Sequence, residues 1–410
     1  VRIGPTRAEH ICPTRAEHIC VIRQHVAWSP RVAREVATLA EAGHRVDLVC
    51  LRTRGEPARE RRGQVTVWRL AVPNGHRVGP AGYLAEYAWF FVSAAVLVSV
   101  LHLRRRYRLV QVNTLPDALV FAALVPRLLG ARVLLDLQEC MPEFFATKFG
   151  TGMRHPVVRL IAALEQRSIR FADLVITPTA QLREVFIARG ADPTKISVVV
   201  DGTDEDVFHP VRSDRTDPGR FTLISHGTIE ERYGLDTAIA AVALLRTEIP
   251  ELHLEIYGDG SDLDRLRRLA AELEVADRVH FSAGFVPVDE LVEALGAADV
   301  GIVAMKRDRF RDLTLAGKMF DFIVMRIPMA VSRTRSVEEN FDPGCFELFE
   351  SDDPADLARA IRRLYADPEH RGRLAEHAAA AAEPYRWQHQ RTRYLAAVNQ
   401  LLPAGAQRPG

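Results

Sequence analysis

The sequence predicts an α/β fold: two doubly wound parallel-sheet domains facing each other across a cleft. Three observations lead there. The chain has 410 residues, more than one hydrophobic core usually serves. Short β-branched runs alternate with helical patterns, which argues for parallel sheets wrapped by helices. The alternation stops once, in a turn-rich segment over residues 201–219, and then restarts.

Composition narrows the function classes. Hydrophobic residues make up 48% and charged residues 26% of the chain, ordinary for a soluble globular protein. A formal net charge of +1 lacks the basic excess of a nucleic-acid binder, so no nucleic-acid partner is expected. Cys12, Cys20, Cys50, Cys140 and Cys345 are scattered and form no C-x-x-C pair. They read as free thiols in a reducing cytosol rather than a disulfide frame or zinc site. The charged opening lacks a long apolar core, so no signal peptide is read and a cytoplasmic location is expected.

Residues 5–12 (PTRAEHIC) recur unchanged as residues 13–20. One tandem copy is too few for a repeat fold, so only the second copy is expected to feed the fold and residues 1–17 to be irregular. His10 and His18 have no further ligands beside them to make a metal set, and no metal site is expected.

From there the elements come in order. Residues 19–22 form a buried-strand pattern, 31–42 a helix closed by Gly43, and 46–51 and 65–70 further strands. Residues 88–101 are the most apolar stretch, short of the roughly twenty that span a bilayer. A buried helix is the first expectation. Arg104, Arg105 and Arg106 directly after it, with Trp89 inside it, suit a second one: peripheral contact with an anionic membrane at its inner face. Strands follow at 109–113, 133–137, 174–177 and 196–200, with helices at 116–129, 155–170 and 181–189 between them.

Past the turn-rich segment, strands are expected at 221–224, 252–257, 279–281, 300–303, 329–331 and 346–349. The first runs into Ser225 to Asp236, a glycine-containing loop before a helical pattern, with Asp236 as the N-cap candidate. That arrangement holds phosphates in α/β proteins, because glycine admits backbone N–H groups to the anion and the helix start is positive. Gly258, Phe285 and the run 306–312 (KRDRFRD) follow the next three strands. If a helix starts near Gly317, Lys318 and Asp321 share one face at its positive end. An ammonium there suits a diphosphate, and the carboxylate can accept from ribose hydroxyls. Gly317-Lys318 lacks the glycine spacing and following Ser/Thr of a Walker loop.

These segments resemble the family 4 glycosyltransferases of the two-Rossmann-domain type, GT-B. The resemblance covers about residues 18–401, and six motifs carry it. They are VVVDGTDEDVF (198–208), HGTIEERYGLD (226–236), YGDG (257–260), VHFSAGFVP (279–287), AADVGIVAM (297–305) and LAGKMFDF (315–322). It implies a donor-binding set of Gly227, Thr228, Arg232, Gly258, Phe285, Lys318 and Asp321. It also implies sugar transfer from a nucleotide-diphosphate sugar with retention of configuration and without a metal; no cofactor is expected. Cationic side chains and helix dipoles suit such a departing diphosphate.

Departures from the family are visible. Thr228 and Tyr233 stand where many members have Arg and Lys, Asp321 is shorter than the usual Glu, and its partner position falls on Leu313 beside Asp312. Gln138-Glu139 stands where most have His, and Gln cannot act as a base. Catalysis is therefore assigned to Gln138, Asp312 and Arg232. Trp28, Arg31, Asp117 and Glu139 are the acceptor-side candidates, with Trp28 to stack on a sugar and Arg31 to reach the diphosphate across the cleft.

The domains expected are 1–205 on the acceptor side, 206–385 holding the donor, and a helix with tail, 386–410, packing back across both. The leading function is transfer to a sugar, lipid-linked or small-molecule acceptor in cell-surface polysaccharide or glycoconjugate synthesis. A sugar-nucleotide epimerase of the same architecture and a non-catalytic sugar-nucleotide-binding protein stay open beside it.

Overall fold

The computed structural model describes residues 16–25, 29–71, 80–211 and 219–402. Two compact units emerge: Val1–Val200 with Arg391–Gly410, and Asp201–Gln390. The octapeptide repeat and Trp28 lie outside the described residues, apart from the last residues of the second copy, which enter the first strand.

In the first unit β1 (His18–Arg23) leads through α1 (Pro30–Glu41) to β2 (Arg45–Leu51). A short β3 (Arg59–Arg62) then pairs antiparallel with β4 (Val65–Leu70). Next come α2 (Pro80–Arg105), β5 (Leu109–Asn113), α3 (Leu124–Leu128) and β6 (Arg132–Asp136). The unit continues with α4 (Met141–Lys148), α5 (Pro156–Phe171), β7 (Leu174–Thr177), α6 (Ala180–Ala188) and β8 (Ile196–Val198).

The sheet order is β3-β4-β2-β1-β5-β6-β7-β8, parallel except for β3. Its β1 has all four inner residues buried, the mark of a central strand covered on both faces. Pro30 opens α1, where its fixed φ suits a first turn. Val32, Val36 and Leu39 of α1 then enter the core with Ile19, Val21 and Leu48.

Two expectations change here. Residues 117–123 form a 3-10 turn and only Leu124–Leu128 is α-helical; Pro126 has no N–H to continue an α-helix through that segment. The apolar helix α2 spans 26 residues rather than fourteen, and its Ala85–Arg105 window is only 28% buried. Counting unbroken apolar residues missed the turns before Ala88. It also hid the fact that one side of the helix faces outward.

The second unit runs β9 (Phe221–His226), α7 (Leu235–Leu245), β10 (Leu252–Tyr257), α8 (Leu263–Glu272), β11 (Val279–Phe281), α9 (Val288–Gly296) and β12 (Val300–Val303). It goes on through α10 (Gly317–Val324), β13 (Met329–Ser332), α11 (Arg335–Asn340), β14 (Glu347–Phe349), α12 (Pro354–Ala366) and α13 (Pro368–Ala381). Its parallel sheet has the order β11-β10-β9-β12-β13-β14, so the chain reverses direction across the sheet between β9 and β12. Ligands of doubly wound sheets gather outside the strand ends at such a point. The last helix, α14 (Trp387–Leu401), sends Tyr394, Ala397, Val398 and Leu401 into the first unit's core.

Candidate functional site

The loop from Gly227 to Gly234 leaves β9 at this reversal point. Gly227 sits at φ +108°, and its N–H donates to Tyr257 O at 2.8 Å. A Cβ on Gly258, at φ +145°, would lie 1.8 Å from Gly227 O. The two glycine loops are thus pressed backbone to backbone, which only glycine permits. The N-cap of α7 is Gly234 in the left-handed region, not Asp236. A side chain on Gly234 would strike Ala304 O. Asp236 is the second residue of α7, in its first turn, and pairs with Lys306 at 2.8 Å and Arg265 at 3.2 Å. The positive end of α7 therefore already has an anion beside it.

A second group of cations lies across the loop. Around the Tyr233 ring stand Arg232 Cζ at 5.5 Å, Arg311 Cζ at 5.0 Å and Lys318 Nζ at 5.1 Å from the centroid. Arg232 also meets Glu230 at 2.7 Å. Arg311 is buried, and its Nε has no hydrogen-bond partner among the described residues. Lys318 is the second residue of α10, a helix with no acid in its first turn, and it donates a long bond, 3.4 Å, to Ser225 Oγ. Burial, then the neighbouring Arg311, lower the Lys318 pKa to about 8, against the pull of Asp321. The ring's negative face eases the repulsion among the three cations. Together with the α10 N-terminus they concentrate positive charge at one place, the chemistry that suits a multiply charged anion.

Asp321, one turn further along α10, accepts from Thr203 Oγ1 at 2.7 Å and lies 3.5 Å from His226 Nε2. Burial and then Lys318 depress the His226 pKa to about 3, so the imidazole is neutral at physiological pH. Its ring meets Phe322 edge-on at 5.3 Å. Asp321 is thus held as a fixed carboxylate acceptor beside the cations.

The structure brings Gly227, Gly258, Arg232, Lys318 and Asp321 into one neighbourhood. Thr228 is exposed in the same loop. Phe285, 70% exposed, follows the bridge that joins Gly258 to Gly284. Asp312, expected as catalytic, has its carboxylate accepting from Arg307 Nε at 3.0 Å and from the Arg335 N–H at 2.9 Å, which fixes the loop. Sequence reasoning gave Arg311 no role, and none of their own to Ser225, His226 and Tyr233, although these lie in the loop stretch it singled out. Tyr233 looked like a missing charge, and Arg311 was one of four cations in a short run.

In the first unit Arg31, expected to reach the diphosphate, is engaged within its own unit. Its guanidinium is buried and bonds Asp136 through Nε at 2.9 Å and Nη2 at 2.8 Å, and Val199 O through Nη1 at 3.0 Å. Asn113 Nδ2 donates to Asp136 and to Glu35, Gln111 Nε2 to Glu35, and Tyr394 Oη to Gln111 at 2.6 Å. Gln138 Nε2 joins this network at Asp136, 2.7 Å away. Asp117 and Glu139 belong to a second cluster, with Glu143, Glu165, Cys140 and Arg189. Asp117 is buried, and desolvation followed by Glu165 and Glu139 raises its pKa.

Comparison with known proteins places this geometry. Residues 28–202 match the glycosyl transferase 4-like domain family and residues 211–381 the glycosyl transferases group 1 family. A D-inositol 3-phosphate glycosyltransferase of Corynebacterium jeikeium is 28% identical over 270 residues, 62% of each chain. The chain spans about three-fifths of the length of that curated relative. Sucrose-phosphate synthase from Thermosynechococcus elongatus shares the fold at a TM-score of 0.76 and 20% identity, over 95% of this chain and 100% of that one. Anabaena HepE in complex with UDP-glucose does so at 0.69 and 16%, over 94% and 100%. Two domain-family matches that divide the chain between them, on two doubly wound sheets of this kind, put it in the family 4, group 1 glycosyltransferases of the GT-B fold.

Proposed function

We propose that the protein transfers a sugar from a nucleotide-diphosphate sugar to a hydroxyl acceptor, with retention of configuration. The observation that supports this most is the group of three cations around Tyr233 at the N-terminus of α10. As the bond from the anomeric carbon to the leaving oxygen breaks, negative charge grows on the diphosphate. Lys318, Arg311 and Arg232 meet that charge without reorganising. Asp321, fixed by Thr203, accepts from the ribose hydroxyls, and the exposed Phe285 ring stacks on the base. Side chains and a helix end supply the countercharge, so transfer is expected to persist in excess EDTA. The UDP-glucose complex of the structural neighbour HepE supports a sugar nucleotide as the donor class. Transfer onto cell-surface polysaccharide or glycoconjugate is the role that the family suggests.

The test is a panel of UDP-, GDP-, ADP- and TDP-sugars with thermal unfolding as readout, because a ligand of the folded state raises Tm. One donor is expected to shift Tm in the parent and not in Lys318→Ala, and product analysis with acceptors then follows. No shift by any donor at millimolar concentration overturns the proposal. Conversion of the donor without acceptor points to an epimerase, and binding without transfer to a non-catalytic binder.

A further inference from the structure

Among the described residues, fifteen large hydrophobic side chains are exposed, and twelve of them fall between Trp89 and Leu160 in the first unit. Five form one stripe on α2: Trp89 (47% exposed), Val92 (56%), Val96 (59%), Val100 (45%) and Leu103 (65%). Their spacing of three and four residues is that of a single helical face. The opposite face, Phe90, Ala94, Val98 and Leu101, is at most 5% exposed. From Phe90 to Leu101 the helix is therefore seated against the globular unit, with the apolar stripe turned outward. From Ala88 to Leu103 the outward stripe runs about 22 Å at 1.5 Å per residue. The short helix α3 packs beside α2 and adds exposed Leu124 and Leu128.

Charge says what covers this face. Glu86 is the one acid in residues 80–108, and Arg104, Arg106 and Arg108 follow the stripe, all exposed. Arg105 is held by Asp47, but the other three face outward at the end of the helix. A partner copy laid parallel would bring the same arginines against them, and one laid antiparallel would offer them Glu86 as the only acid of its own residues 80–108. A bilayer surface with anionic headgroups offers hydrocarbon to the stripe and negative charge to its basic end.

We infer that α2, with α3 beside it, is an interfacial docking face that lays the first unit on an anionic lipid surface. The apolar stripe enters the boundary between headgroups and acyl chains, and Arg104, Arg106 and Arg108 stay at headgroup level. This inference rests on the first unit alone and stands apart from the donor site.

The test is co-sedimentation of the full chain with vesicles of phosphatidylcholine alone and of three parts phosphatidylcholine to one part phosphatidylglycerol. The chain is expected to sediment with the anionic vesicles at low salt, less in high salt, and little with the neutral ones. Val96→Glu/Val100→Glu is expected to lower binding at least tenfold, and Arg104→Glu/Arg106→Glu to remove the preference for anionic lipid. Both positions face outward, so melting temperature should stay near the parent's; a variant that fails this check is replaced by Val96→Ser/Val100→Ser. Absence of sedimentation, or binding that Val96→Glu/Val100→Glu leaves intact, overturns the inference. So does a dimer in analytical ultracentrifugation that the same substitution dissolves while vesicles are ignored, since a second copy then covers the face.

Discussion

The Lys318 ammonium lies 5.1 Å from the centre of the Tyr233 ring, on a side chain that the same ring shares with Arg232 and Arg311. Tyr233 stands in the glycine loop, and its ring collects three cations. A cation over an aromatic face is worth about 0.5–2 kcal/mol, depending on desolvation. Tyr233→Ala should let the three cations part, weakening nucleotide-diphosphate binding by roughly 5- to 30-fold, about 1–2 kcal/mol. Tyr233→Phe keeps the ring face and should stay within about twofold. Calorimetric titration of both variants checks this; equal losses would assign the effect to the hydroxyl.

Acidity of Lys318 gives a pH dependence with a definite sign. With its pKa lowered to about 8 in the empty site, the ammonium is lost as pH rises through that value. Bound diphosphate favours the charged form, so binding should take up a proton near pH 8–9 and weaken above it. Titrations in two buffers of different ionisation enthalpy measure that uptake. For stability the sign is opposite. Between about 8 and the ordinary 10.5 the unfolded chain holds more protons, so the stability of the empty protein rises with pH across that window. Below it, the charged lysine is a burden. Lys318→Met should therefore raise Tm at pH 7 in the empty protein while abolishing the donor-induced shift.

Gly258 separates strain from collision. Gly258→Ala would place a Cβ 1.8 Å from Gly227 O at φ +145°, whereas Gly284→Ala, at φ +98°, meets nothing within 4 Å. Both carry the conformational strain, about 1–3 kcal/mol, but only Gly258→Ala must also push the two loops apart. Gly317→Ala has neither problem and serves as control. Urea unfolding should rank the losses as Gly258→Ala above Gly284→Ala above Gly317→Ala. Donor binding should be lost in the first even where it remains folded.

The alternation of strands and helices was legible because burial imposes a period on each element, and β1, β2, β5 and β10 fall where that period puts them. The glycine loops, Lys318 and Asp321 were legible because close backbone approach and helix ends demand particular residue types. Other features depend on partners far along the chain. Arg31 was expected to face a diphosphate, and nothing near it in the sequence pointed to Asp136, 105 residues away, to which it is bonded. Gln111 and Asn113 sit on one face of β5, a period-2 polar pair in an apolar strand, which was the available signal for a buried network. His226 ended an apolar run and gave no sign of Asp321, and the outward face of α2 was masked by its own hydrophobicity.

That buried network makes its own prediction. Asp136→Asn weakens the partner of a guanidinium that is buried, and breaking a buried pair costs about 3–5 kcal/mol. Tyr394→Phe removes the donor to Gln111 Oε1 and should cost about 1–3 kcal/mol, which would show that α14 is latched to the first sheet by a polar bond as well as by packing. Chemical denaturation of both variants and of the pair measures the coupling. If Asp136→Asn were as stable as the parent, Arg31 would be free to take the ligand role that its position in the sequence suggested.

Asp117 should act in the opposite direction. Its carboxyl is buried, its Oδ1 has no hydrogen-bond partner among the described residues, and Glu165 and Glu139 add like charge. With a folded pKa above the unfolded one, the neutral carboxyl costs little at acid pH. Stability is lost as pH rises from the ordinary carboxyl range through the raised value. Asp117→Asn keeps the shape and removes the charge. It should match the parent near pH 4 and melt progressively higher than the parent toward pH 7. A gap in Tm that is constant with pH would mean that Asp117 is ionised in the native state and already compensated. A gain in stability accompanied by a loss of transfer would identify this carboxyl as one retained for the acceptor reaction at the expense of the fold.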